Sequence, residues 1–272
     1  VVVGILLAIV AMFLYSGGAL LQAEGTRRAT KRRPVAVQPR YLAGLGCDFL
    51  AWLCAAGALR ELPVFAVQAV VGGAIALTAV VGARLAGARM PTRMKVSVVG
   101  CLAGLVLVAA SAGAEQPPAH QHGADIVLLV AWLLLAVVVL VLRQGKTAWP
   151  LAAVSGIGFG GIALSVRAAL VQTGGSLEPL VLLAQPATYL IVGFWVVGMI
   201  GYTAALARGD VGSVTAVFTV AQVLVPGLAG IVLLGDEVRP GWWWVMVLGL
   251  VGAVAGSVLI ARSPPVRPPR VK

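Results

Sequence analysis

The chain has 272 residues, 60% of them hydrophobic and only 11% charged, with a mean hydropathy of +1.02. So little polar surface cannot cover a water-soluble core, which excludes an ordinary soluble domain. The net charge of +11 would suit nucleic acid, but the basic residues lie between apolar runs, where topology and anionic lipid headgroups account for them.

Nine runs follow in chain order, most of them long enough for a helix that crosses roughly 30 Å of hydrocarbon. Val1–Gln22 ends in a Gly-rich stretch and gives way to a basic loop over 25–40. Tyr41–Leu59 carries Asp48 and two cysteines, Cys47 and Cys54; Pro63–Arg84 carries Gln68. Val96–Gly113 places Gly100 and Gly104 one helical turn apart beside Cys101. A Pro- and Gly-rich loop with Glu115, His120 and His122 leads to Asp125–Leu142. Ala148–Gln172 holds Arg167 and a run from Gly156 to Gly161, and Gln185–Leu206 opens on Gln185-Pro186 and includes Tyr189 and Tyr202. Ser213–Leu234 contains Gln222 and Pro226; Trp242–Ala261 opens on three tryptophans, and a cationic Pro-rich tail covers 262–272. No basic leader precedes the first run, so a cleavable signal peptide is not expected.

Lys and Arg fall in alternate gaps. If the loop over 25–40 is cytoplasmic, that side also receives Arg84, Arg89, Arg93, Lys95, Arg143, Lys146, Arg208 and the tail. The other side receives only Arg60 and Arg239, while Arg167 lies within a run. Short-loop basic residues set orientation, which predicts N-terminus out and C-terminus in. Three cysteines within apolar runs read as packing residues rather than a disulfide framework.

The runs also repeat. Gly18 to Gly25 reads GALLQAEG, and Ala168 to Gly175 reads AALVQTGG, 150 positions on. Ala58-Leu59 is matched by Ala205-Leu206, and Gly100 and Gly104 by Gly252 and Gly256. The expected organisation is all-α and polytopic: a first four-helix repeat over 1–113, a loop and connector helix over 114–147, a second four-helix repeat over 148–261, and the tail. One odd connector inverts the second repeat relative to the first, the architecture of alternating-access carriers.

An ionisable side chain within a span marks a functional site unless it is paired or solvated. Asp48 is read as a candidate proton or cation site in a cavity or, more simply, as a carboxylate solvated at the inner vestibule or bonded to a neighbouring helix. Arg167 is a candidate headgroup contact, although snorkelling toward the outer surface explains it more simply. The amides Gln22, Gln68, Gln172, Gln185 and Gln222 can ligate a polar solute or bind helices together. Gln222 stands four residues before Pro226, whose missing N–H leaves a carbonyl unclaimed one turn earlier. Tyr189 and Tyr202 either line the pathway or anchor at the interface, the role read for Trp242 to Trp244. The glycines from Gly156 to Gly161 imitate a dinucleotide fingerprint, but inside an apolar span they serve close packing. His120 and His122 with Glu115 and Asp125 could hold a transition metal. Catalytic triads, paired carboxylates, CxxC and Walker-type loops are absent from the sequence, so neither an enzyme nor a cofactor is expected.

Taken with Leu21-Gln22, the Ala58-Leu59 to Val67-Gln68 junction, Tyr202 to Leu206 with Gly209, Val223 to Pro226, and Leu234-Gly235-Asp236-Glu237, the chain resembles the drug/metabolite transporter superfamily, in its EamA/NIPA-like branch. Asp236 interrupts the family's usual Gly-Glu. The resemblance implies a multi-pass plasma-membrane secondary transporter of a small metabolite, amphipath or ion. The NIPA-like branch would suggest magnesium, yet Mg²⁺ sites favour several carboxylates and retained waters, and Arg167 would repel a cation. A non-transporting subunit of a larger membrane complex, packed through its glycine-rich faces, is the competing reading. Homodimer formation is left open.

Overall fold

The computed structural model describes residues 2–28, 37–85, 87, 90–113, 123–173, 178–209 and 211–261. These residues are helical almost throughout; the β-type pairing among them is one isolated bridge, Ala112 with Val238. The helices are α1 (Val2–Arg27), α2 (Pro39–Ala58), α3 (Val64–Gly72), α4 (Ala74–Leu85), α5 (Thr92–Ala110), α6 (Ala124–Leu142), α7 (Trp149–Gln172), α8 (Pro179–Leu183), α9 (Pro186–Leu206), α10 (Val211–Leu233) and α11 (Trp243–Ala261). Among the described residues, eight segments are long and apolar enough to cross a membrane, with α3 and α4 together forming one of them. The chain is therefore an all-helical membrane protein.

Local chemistry sets the boundaries. Prolines open α2, α8, α9 and the first turn of α7, where a missing N–H costs no helical bond. α1 runs five residues beyond the predicted Gln22, because an apolar run records bilayer thickness and not the helix end. The third predicted run breaks at Gly73, where a Cβ would stand 2.8 Å from Met12 Sδ and 3.0 Å from Val70 O. The eighth run forms α10, continuous through Pro226, but its described apolar part, Val217–Leu233, is shorter than the eight qualifying segments.

Two antiparallel helix pairs organise the contacts. α1 lies antiparallel against α2, with Gly4 near Ala58, Gly18 near Gly44 and Gly25 on Tyr41. α7 lies antiparallel against α9, with Ser155 near Gly201, Gly158 on Gly198 and Gly161 on Phe194. α1 runs parallel to α4, where Thr78 Oγ1 donates to Ser16 Oγ at 3.0 Å. α7 runs parallel to α10, with Gly156 against Ala221 and Gly160 against Pro226.

Two further pairs join these groups. α3 crosses α10 antiparallel, Gly72 facing Val223 and Phe65 facing Gly227. α5 crosses α11 antiparallel through a seam of backbone contacts: Gly256 on Cys101, Gly104 on Gly249 and Ala253, Gly249 on Val108. Glycine at these positions lets the helix axes approach as no larger residue could. α6 packs on α7 and α9, with most of its apolar surface exposed, as befits a lipid-facing helix.

One end of the bundle gathers the start of α1, the α2–α3 turn, the end of α7 and the α10–α11 turn. The other, basic end gathers Arg28 and Arg40 beside Glu24, and the α6–α7 and α9–α10 turns, where Arg208 Nη2 donates to Arg143 O at 2.7 Å. The described chain thus starts at one end and finishes, with α11, at the other.

Candidate functional site

Between the α1–α2 hairpin and the α7–α9 hairpin lies a cavity of about 760 Å³. α2 presents it a full face at helical spacing: Tyr41, Leu45, Asp48, Trp52, Ala55 and Leu59. α9 supplies Ile191, Trp195 and Met199, α7 supplies Phe159, Ile162 and Val166, and α3 and α10 supply Gln68 and Gln222. The walls are mostly apolar, with polar groups at a few points, the usual make-up of a small-molecule site.

Asp48 is the one charged side chain among the described lining residues. It is half-buried, and its Oδ2 accepts a 2.5 Å hydrogen bond from Gln22 Nε2. Both partners depend on glycine. The space beside Gly18 is filled by Asp48 Oδ1, and a Cβ on Gly44 would stand 2.6 Å from Gln22 Cγ. The helix contact therefore holds the carboxylate in place. Gln68 and Gln222 lie beside the α3–α10 crossing, within a turn of Gly72 and next to Val223. Because Pro226 has no N–H, the carbonyl of Gln222 also lacks its usual helical donor.

Arg167 does not join this group, and it does not snorkel. It is 3% exposed. Val166 faces the cavity, whereas Arg167 turns away: its Nη1 donates to Leu59 O and its Nη2 lies 3.7 Å from Asp236 Oδ1. Asp236 Oδ2 in turn accepts from Val64 N at 2.6 Å, capping the first turn of α3. One buried ion pair thereby ties the end of α2, the start of α3, α7 and the α10–α11 turn. Snorkelling loses here because a carboxylate partner and an unclaimed carbonyl lie within reach, so leaving the interior would orphan both. Burial pushes the Asp236 carboxyl up from its ordinary 3.8, opposed by the Arg167 guanidinium and the Val64 N–H. The same end is closed by Gly113 N donating to Glu237 O and Arg239 N to Ser111 O, each at 2.9 Å.

The remaining candidates disperse. Gln172 ends α7 and does not line the cavity, whereas Gln22, at the matching position of the expected repeat, does. Gln185 is the N-cap of α9. Tyr189 is exposed and donates to Leu183 O at 2.9 Å. Tyr202 is half-buried against Phe218, ring centroids 4.9 Å apart, behind the lining. Glu115, His120 and His122 fall outside the described residues, and no cluster of three metal-ligating side chains occurs among the described ones. The three cysteines are free thiols, Cys101 Sγ lying 3.4 Å from Ser257 Oγ.

Sequence reasoning missed Asp236 and the aromatic lining. Asp236 follows an apolar run directly, which reads as an interfacial acid, and nothing local points to a partner 69 positions away. Phe49, Trp52 and Trp195 look like lipid-facing residues until α2 and α9 are placed opposite one another.

No protein-family model, curated protein or solved structure matches the chain.

Proposed function

We propose that the chain is a secondary transporter of the drug/metabolite type, crossing the plasma membrane nine times with its N-terminus outside and its C-terminus inside. It carries a small metabolite or amphipath by alternating access between inverted four-helix halves. The observation that carries this reading is the cavity at which Asp48, Gln22, Gln68 and Gln222 converge, between two hairpins of like packing. Exchange of the halves maps the α1–α2 contact onto α7–α9 and the α1–α4 contact onto α7–α10. It maps α5–α11 and α3–α10 onto themselves, as a twofold axis in the membrane plane requires. The glycine contacts support this reading: Cys101 on Gly256 and Gly104 on Ala253 would exchange under a 152-residue offset.

A cavity with a single carboxylate suits an organic solute better than Mg²⁺, which demands near-octahedral oxygen ligands. The subunit reading relied on glycine-rich faces being free for a partner; Gly104, Gly158, Gly249 and Gly256 are spent on contacts within the chain. Asp48 is the group proposed to couple transport to a proton gradient.

Labelling tests the reading. In a background with Cys47, Cys54 and Cys101 replaced by alanine, Gln222→Cys should react with a membrane-impermeant maleimide added to either face of sided vesicles. Reaction from neither face would describe a solid scaffold and remove the proposal.

A further inference from the structure

The chemistry of the lining narrows the solute. Asp48 brings the only formal charge to the described lining, and it is negative. Arg167, the cation nearest in sequence to the cavity-lining Val166, is turned away and held by Leu59 O and Asp236. An anion placed in the cavity would meet an uncompensated carboxylate at low dielectric. A neutral solute would leave Asp48 with Gln22 as its hydrogen-bond donor. On the α1–α2 side Tyr15, Phe49 and Trp52 line the cavity with Asp48, and Phe159 and Trp195 line it from α7 and α9. Aromatic faces attract cations as well as apolar groups. A hard metal ion gains little from them, since it needs several oxygen ligands and retained water. The groove is also open sideways. Phe49 and Trp195 are 61% and 48% exposed, and α2 and α9 share no extended packing. A ligand with an apolar body can therefore reach Asp48 from within the bilayer.

We propose that this cavity binds a protonated organic amine, its nitrogen held by Asp48 and its apolar body laid against the aromatic walls of α2, α7 and α9. This deepens the carrier reading of the same cavity, and it is tested without transport.

Three probes share one phenylalkyl body: 4-phenylbutylamine, 4-phenylbutyramide and 4-phenylbutyrate. Equilibrium dialysis against the purified full chain in detergent, corrected for empty micelles, gives their relative affinities. A charge-assisted bond to the carboxylate predicts that the amine binds at least about tenfold tighter than the amide. The carboxylate should bind weakest. Asp48→Asn should reduce the amine to the level of the amide while the amide keeps its own affinity, which also reports that the cavity is intact. Affinities within about twofold for all three probes on the unaltered chain overturn the proposal whatever the variant does, and so does an Asp48→Asn protein that still prefers the amine. Exchange of labelled amine across liposomes separates the two claims. Charge-selective binding without exchange refutes the carrier and leaves this site standing, whereas exchange with charge-indifferent binding does the opposite.

Discussion

Replacing Gly104 by alanine adds one methyl group, and the α5–α11 seam leaves no room for it. A Cβ at that position would stand 2.5 Å from Gly249 O and 2.8 Å from Gly252 C, and closer still to Ala253 N. All three are backbone atoms, so no side chain can rotate out of the way. The helices must separate by about 1 Å before carbon contacts become favourable, and the separation propagates to Gly256 and Val108. Overpacking of this kind costs about 1–3 kcal/mol, while alanine in place of glycine returns about 0.5–1 kcal/mol of helix propensity. Gly100 is the internal control: it lies one turn away on the same helix, with nothing within 4 Å of an added Cβ. Gly100→Ala keeps the propensity gain and suffers no overlap, so the two variants should differ by about 1–3 kcal/mol. Melting of the purified protein in mild detergent, followed by tryptophan fluorescence, should place Gly104→Ala several degrees below Gly100→Ala. The second half should repeat the pattern, with Gly256→Ala harmful and Gly252→Ala tolerated, since their nearest atoms lie at 2.6 and 3.5 Å. Equal melting of Gly104→Ala and Gly100→Ala would refute the close-packed seam.

Arg167→Met strands Asp236 in the interior and should cost about 3–5 kcal/mol. Adding Asp236→Asn should recover much of that loss in a melting experiment, and a double variant no better than Arg167→Met would show that the ion pair is not what fails. The Asp236 carboxyl holds its proton more tightly in the fold than in the unfolded chain. Between 3.8 and that raised value the folded state binds more protons, so the contribution of Asp236 to stability falls as pH rises through the window. Subtracting the melting profile of Asp236→Asn from that of the unaltered protein should expose this slope; a difference that rises with pH contradicts it. Asp48→Asn should abolish proton-driven uptake of a transported amine, and full gradient-driven uptake by the variant would eliminate coupling through Asp48.

The apolar runs located the helices to within a few residues, because the thickness of hydrocarbon limits their length and proline marks several of their starts. They predicted α9 at Gln185–Leu206, and it spans Pro186–Leu206. The candidate site was legible only where a polar side chain broke an apolar run, as at Asp48, Gln68 and Gln222. Its walls were not, because Trp52 and Trp195 have the same local context whether they face lipid or each other. The Arg167–Asp236 pair was hidden for a different reason: its partners are distant in sequence and meet only through the packing of α7 against α10. The four glycines at 100, 104, 252 and 256 stood out as a repeat, but the helical phase that presses Gly104 and Gly256 into a neighbour and leaves Gly100 clear is a property of the crossing.

The contacts divide the bundle mechanically. The α1–α2 hairpin packs on α3 and α4 and the α7–α9 hairpin packs on α10, while the two hairpins barely touch across the groove. Moving one hairpin against the other would sacrifice few interhelical contacts in the groove and would strain the buried Arg167–Asp236 pair, which joins α7, the end of α2, the start of α3 and the α10–α11 turn. The Arg167 guanidinium is therefore a shared anchor of both hairpins at that end.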